Sequence, residues 1–189
     1  MNESQIKVAT QKNYGASLLQ KVFVKNIALS FGFTLLALII PAILAHTPHN
    51  QWITGILVNL IIFLAAAKIK TVGSLLPATI PSLIAATRGL LPIPLVPMIP
   101  FIILGNIVLA FIFSKLFSKN QLGAVIISAV SKSIIIAGAS ALFFHLPQPI
   151  ATIMQWPQLI TALTGGLLAL AVLKVIPSST QKTSYDQQA

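Results

Sequence analysis

Residues 87–106 read TRGLLPIPLVPMIPFIILGN, and what this stretch can fold into decides the class of the protein. It holds one arginine, Arg88, then Pro92, Pro94, Pro97 and Pro100, then a Gly-Asn pair at Gly105 and Asn106 inside an apolar run. Proline lacks the N–H a helix ladder needs, its ring clashes with the preceding turn, and it pushes the residue before it toward extended geometry. Leu90 to Pro100 is therefore not expected to form a regular helix, although it is almost as apolar as one. In lipid, irregular backbone is tolerated only where protein buries it or a water-filled cavity accepts its hydrogen bonds. The stretch is a candidate pocket wall, provided the chain lies in a membrane.

Composition places it there. The chain has 189 residues, of which 56% are hydrophobic and 7% charged, and its mean hydropathy is +0.93. Soluble domains carry roughly 25% charged residues. The acids are Glu3 and Asp186, both in polar terminal segments. The formal charge of +10 invites a nucleic-acid reading. Its lysines, however, are spread between apolar runs, as membrane topology requires. Without cysteine, disulfides, thiolate nucleophiles and zinc–thiolate sites are excluded. The polar N-terminus leads us to expect no cleavable signal peptide.

Working outward from the proline stretch, the apolar runs predict an all-α integral membrane protein with six transmembrane helices. Residues 1–22 read as a cytoplasmic tail, residues 23–176 as the membrane domain and residues 177–189 as a second tail. The expected spans are residues 26–45, 52–67, 72–87, 101–116, 121–144 and 156–176. Each is of the order of the twenty or so residues that cross a hydrocarbon core of about 30 Å. Lys7, Lys12, Lys21, Lys25, Lys68, Lys70, Lys115, Lys119, Lys174 and Lys182 then fall on one side, with Arg88 alone on the other. Positive residues stay inside, so both termini are expected in the cytoplasm, and Trp52 and Trp156 anchor the outer interface.

Few side chains in the spans carry chemistry. Lys132 sits near mid-span, where a lysine costs about 2.5–3.5 kcal/mol on insertion scales. With no carboxylate in any span, it needs carbonyls, hydroxyls such as Ser128 or Ser131, water, or an anionic ligand. Arg88 either caps helix carbonyls or grips a carboxylate or phosphate through its two-pronged guanidinium. Asn106, Gln158, Thr161 and Thr164 are either glue between helices or ligand contacts. Gln158, Thr161 and Gly165 share a helical face that should turn inward. His46, His49 and His145 are outer-loop histidines, more often surface residues than metal ligands. Ala28 and Gly32, and Gly165 with Gly166, are close-packing sites for another helix of this chain or of a partner. No phosphate-binding P-loop, H-E-x-x-H or G-x-S-x-G motif is present. A pocketed membrane protein without energy-coupling residues reads as a subunit energised by another.

LLPATIPSLIAATRGLLPIPLVPMIPFIILGN, the single-lysine segment SAVSKSIIIAG and the opening of the last span, WPQLITALTGG, together resemble one bacterial family. These are the substrate-binding S components of energy-coupling-factor (ECF) transporters, and the resemblance covers roughly residues 24–176. It implies a six-helix protein of the bacterial plasma membrane that captures a vitamin or similar micronutrient on its outer side, with no catalytic role or cofactor of its own. It also implies docking on a transmembrane coupling subunit and two ATPase subunits through small residues of the first helix. Ala28-x-x-x-Gly32 keeps the size of the family's Ala-x-x-x-Ala but departs from its pattern. Pockets of the family lie in the outer halves of later helices, which points to Arg88, Pro92, Asn106, Lys132 and Gln158. Two cations among these favour a small, anionic organic substrate. The alternative is a membrane interaction or assembly subunit with no small-molecule site.

Overall fold

A computed structural model describes the backbone of residues 3–44, 50–87, 93–144 and 150–175, with side chains from residue 20 onward except at residues 50, 150 and 153. All regular elements described are helical. In chain order they are α1 (Glu3–Leu44), α2 (Asn50–Thr87), a 3₁₀ helix (Ile93–Met98), α3 (Ile99–Leu116), α4 (Gln121–Phe143), α5 (Ile150–Ile153) and α6 (Trp156–Val175). Five segments are long and apolar enough to cross a membrane: Gln20–Leu44, Gln51–Thr87, Ile93–Leu116, Gln121–Phe143 and Trp156–Val175. The outer surface agrees, since large apolar side chains such as Phe31, Ile134, Leu142 and Leu167 stand exposed on it. That is a surface for lipid, and the chain is a multi-pass membrane protein.

Two boundaries differ from the sequence expectation. Residues 3–22, expected as a separate tail, continue α1 without a break. The expected second and third spans both lie in α2, which is interrupted at Lys70 with φ 60° and ψ −171°. Contacts show what that interruption does. Asn106 and Ser114 of α3 bond to Ala78 and Thr71 of α2, so residues 71–87 run antiparallel to α3. Before the break, Asn59 bonds to Lys132, whose stem lies against Gly105, while Phe63 packs on Phe113 four residues further along α2. Residues 50–69 thus run in the same direction as α3, and the chain turns back at Lys70.

Within the proline stretch, Ile93–Met98 is 3₁₀, neither irregular nor α-helical. Proline's fixed φ near −65° suits that geometry, and in so short a run Pro94 occupies a position whose N–H has no internal partner. Pro100 then opens α3, where the first N–H groups have no helical acceptor in any case. The other prolines are used between helices. Pro77 leaves the carbonyl of Gly73, four residues earlier, without its ladder donor. The Ser30 hydroxyl of α1 donates to that carbonyl at 2.6 Å, which satisfies a polar group that lipid would not.

The main core lies between α2, α3, α4 and α6 around Ile62, Phe63, Leu109, Phe113, Val125 and Ala162. Phe63 and Phe113 meet edge to face, with centroids 4.7 Å apart, a preferred aromatic geometry. Small residues let α6 close on this core. A Cβ at Gly165 would lie 2.6 Å from the Ile56 carbonyl oxygen, and one at Gly166 2.5 Å from Val125. A smaller cluster of Leu95, Met98, Ile136, Ala139 and Met154 packs the 3₁₀ helix onto α4.

Candidate functional site

Lys132 occupies the middle of α4 and is 4% exposed. Gly105 makes room for it, since a Cβ there would come 3.2 Å from the lysine Cγ. Its Nζ donates to Asn59 Oδ1 of α2 at 2.6 Å, a short, charge-assisted bond. Asn59 Nδ2 in turn donates to the Gly55 carbonyl at 2.8 Å, one turn back along its own helix. The serine partners foreseen for Lys132 are not the ones used: Ser128 donates to the Ala124 carbonyl instead. Asn59 is the residue that sequence reasoning passed over. Its signal was there, a lone amide in the apolar run LVNLIIF, one turn after Gly55.

Above this pair, at the tryptophan end, α2 and α6 leave a cleft of about 50 Å³. Gln51, Trp52 and Gly55 line it from α2, and Pro157, Gln158 and Thr161 from α6. Trp52 and Trp156 meet there with ring centroids 5.6 Å apart. Gly55 forms the link downward: its Cα approaches Thr161 closely, and its carbonyl holds Asn59. Ligand pockets for drug-sized molecules span roughly 300–1,000 Å³, so this cleft admits waters or one end of a ligand.

The expected site residues do not all converge. Lys132 and Gln158 belong to one column, through Asn59, Gly55 and the cleft. Thr161 and Gly165 are buried and Gln158 is partly buried, as the inward face of α6 required. Asn106 is buried beside Gly105, but its Nδ2 is committed to the Ala78 carbonyl of α2 at 3.1 Å. Its Oδ1, like the Ser133 hydroxyl next to Lys132, has no hydrogen-bond partner among the described residues. Both are polar groups at the depth of the lysine that a ligand or water can still engage. Arg88, Pro92 and the histidines His46, His49 and His145 lie outside the described residues. Ala28 and Gly32 are exposed, and no atom lies within 4 Å of where a Gly32 Cβ would be. That small-residue step is therefore not a packing site for another described helix of this chain, whereas Gly165 and Gly166 are. No family of proteins, curated protein or solved structure matches the chain.

Proposed function

We propose that the protein is the substrate-binding S component of an ECF-type uptake transporter in the bacterial plasma membrane, taking a small anionic micronutrient from the outer side. In this reading the chain crosses six times with both termini inside. The turn at Lys70 supports it: residues 50–69 and 71–87 are about 30 and 25 Å long at 1.5 Å per residue, each near a bilayer's thickness. Lys68, Lys70, Lys115, Lys119 and Lys174 then share the inner end, opposite Trp52 and Trp156.

One observation carries the proposal. A lysine ammonium is buried in the middle of α4 with no carboxylate in the described helices, held by one amide that connects to the cleft at the tryptophan end. An intramembrane ionisable residue of this kind is by default a functional group. The ammonium has three donors and Asn59 occupies one, so an incoming carboxylate or phosphate finds both charge and hydrogen bonds there. Arg88 would meet the ligand's outer end, and Asn106 and Gln158 would add polar contacts. A coupling subunit and two ATPases would supply the energy that this chain has no motif to harvest.

Mass spectrometry of small molecules released from the detergent-purified protein tests this directly. A stoichiometric anionic metabolite, lost in Lys132→Ala while the protein still inserts, is the expected result. Retention of the same metabolite in both Lys132→Ala and Arg88→Ala would rule out the anionic-ligand reading. The closure of Lys132 onto Asn59 favours a second reading, an assembly subunit with no solute site. An empty protein that copurifies with membrane partners would support that one.

A further inference from the structure

We infer that the lysine end of the bundle holds an anionic phospholipid, with its phosphate between Lys70 and Lys115. The Thr71 and Ser114 hydroxyls are hydrogen-bonded to each other, so their chain neighbours Lys70 and Lys115 stand at the same end of the α2–α3 contact. Lys68 is on the same turn of α2, and Lys119 follows at the end of α3. All four are exposed. The sequence has no carboxylate side chain between Glu3 and Asp186, so no side chain of residues 4–185 can neutralise these cations.

The backbone at Lys70 is a second, independent observation. It is the one non-glycine residue with positive φ among those described. Its combination of φ 60° and ψ −171° belongs to a region that is essentially glycine's alone. Glycine would make the same turn without strain, so the lysine there adds a cation at a conformational cost.

Apolar neighbours favour a lipid over a soluble acidic protein. Val72, two residues from Lys70, is 81% exposed, and Phe111 is half-exposed beneath the Lys115 ammonium, which stands 5.8 Å from its ring centroid. A phospholipid satisfies both features at once, phosphate against ammonium and acyl chain against valine and phenylalanine. An acidic protein satisfies only the first. The inference depends on the chain lying in a membrane, and not on its binding a solute.

Native mass spectrometry of the detergent-solubilised full chain, mixed with equal amounts of dioleoyl phosphatidylglycerol and dioleoyl phosphatidylcholine, tests it. The wild-type protein is expected to retain phosphatidylglycerol preferentially. Lys70→Gly and Lys115→Gln should each reduce that preference about fivefold, and the double variant about 25-fold, taking the usual weight of one lysine at an anionic surface. Lys70→Gly should meanwhile unfold in phosphatidylcholine at the same or a higher temperature, because the strained φ is relieved, which separates lipid loss from fold loss. Equal retention of the two lipids by the wild-type protein, or an unchanged preference in the double variant, would overturn the assignment. So would a polyglutamate peptide that displaces phosphatidylglycerol from these lysines, since it would give the surface to an acidic protein.

Discussion

Replacing Asn59 by leucine takes away the acceptor of the buried ammonium while leaving the ammonium in place. The bond is 2.6 Å long and both residues are almost fully buried. A hydrogen bond to a charged group contributes about 1.5–3 kcal/mol, and a buried partner left unsatisfied adds its own desolvation penalty. Polar contacts between membrane helices average only about 0.6 kcal/mol, because the unfolded chain in a membrane also finds partners. Charge and burial put this bond above that average, so Asn59→Leu should destabilise the protein by about 2–3 kcal/mol. Lys132→Met should cost about 1–2 kcal/mol through the stranded amide oxygen. The double variant, which leaves neither group unpaired, should be close to wild type. Unfolding by dodecyl sulfate in mixed micelles, followed by the fluorescence of Trp52 and Trp156, measures all three. A coupling of about 3–5 kcal/mol between the sites is expected. Single effects that simply add to within about 0.5 kcal/mol would refute the pairing. The same cycle bears on function: Asn59→Asp should keep the fold, neutralise the ammonium and abolish retention of an anionic ligand.

Other positions test other parts of the structure. Gly165→Ala places a methyl 2.6 Å from the Ile56 carbonyl oxygen and 2.9 Å from the Leu60 nitrogen, and because backbone cannot rotate away, a loss of about 2–3 kcal/mol is expected in the same assay. Phe113→Ala removes a fully buried ring from between Phe63 and Phe117 and should cost about 3–5 kcal/mol. A Cβ at Gly32 would have open space within 4 Å, so Gly32→Leu should leave stability unchanged or slightly raised; loss of a copurifying coupling subunit in this variant would mark the face as the docking site. Thr161→Leu fills the cleft from α6 and should lower ligand retention; because Thr161 is buried against Gly55, the overpacking should also cost about 1–3 kcal/mol in the same assay.

What could be read directly was what depends on local sums. Span position follows from summed side-chain hydropathy over about twenty residues. The inward face of α6 was legible from the spacing of Gln158, Thr161 and Gly165. The departure of Ile93–Met98 from α geometry was legible from the prolines, although the choice of 3₁₀ was not. Lys132 could be singled out because a mid-span cation is costly wherever it points.

Its partner could not. Asn59 lies in another span, 73 residues away, and nothing in the apolar run around it states which helix it will face. Helix pairing in a membrane depends on small residues that allow close approach, and only the packed arrangement shows that Gly165 and Gly166 are used inside the bundle while Gly32 is left open. The same holds at Pro77, whose missing N–H is evident in the sequence but whose freed carbonyl is claimed by Ser30 on a different helix. Hydropathy and charge order are properties of segments and are written into the chain one segment at a time. The Lys132–Asn59 pair, the cleft between α2 and α6 and the Thr71–Ser114 contact join segments, and only the tertiary structure decides which segments meet.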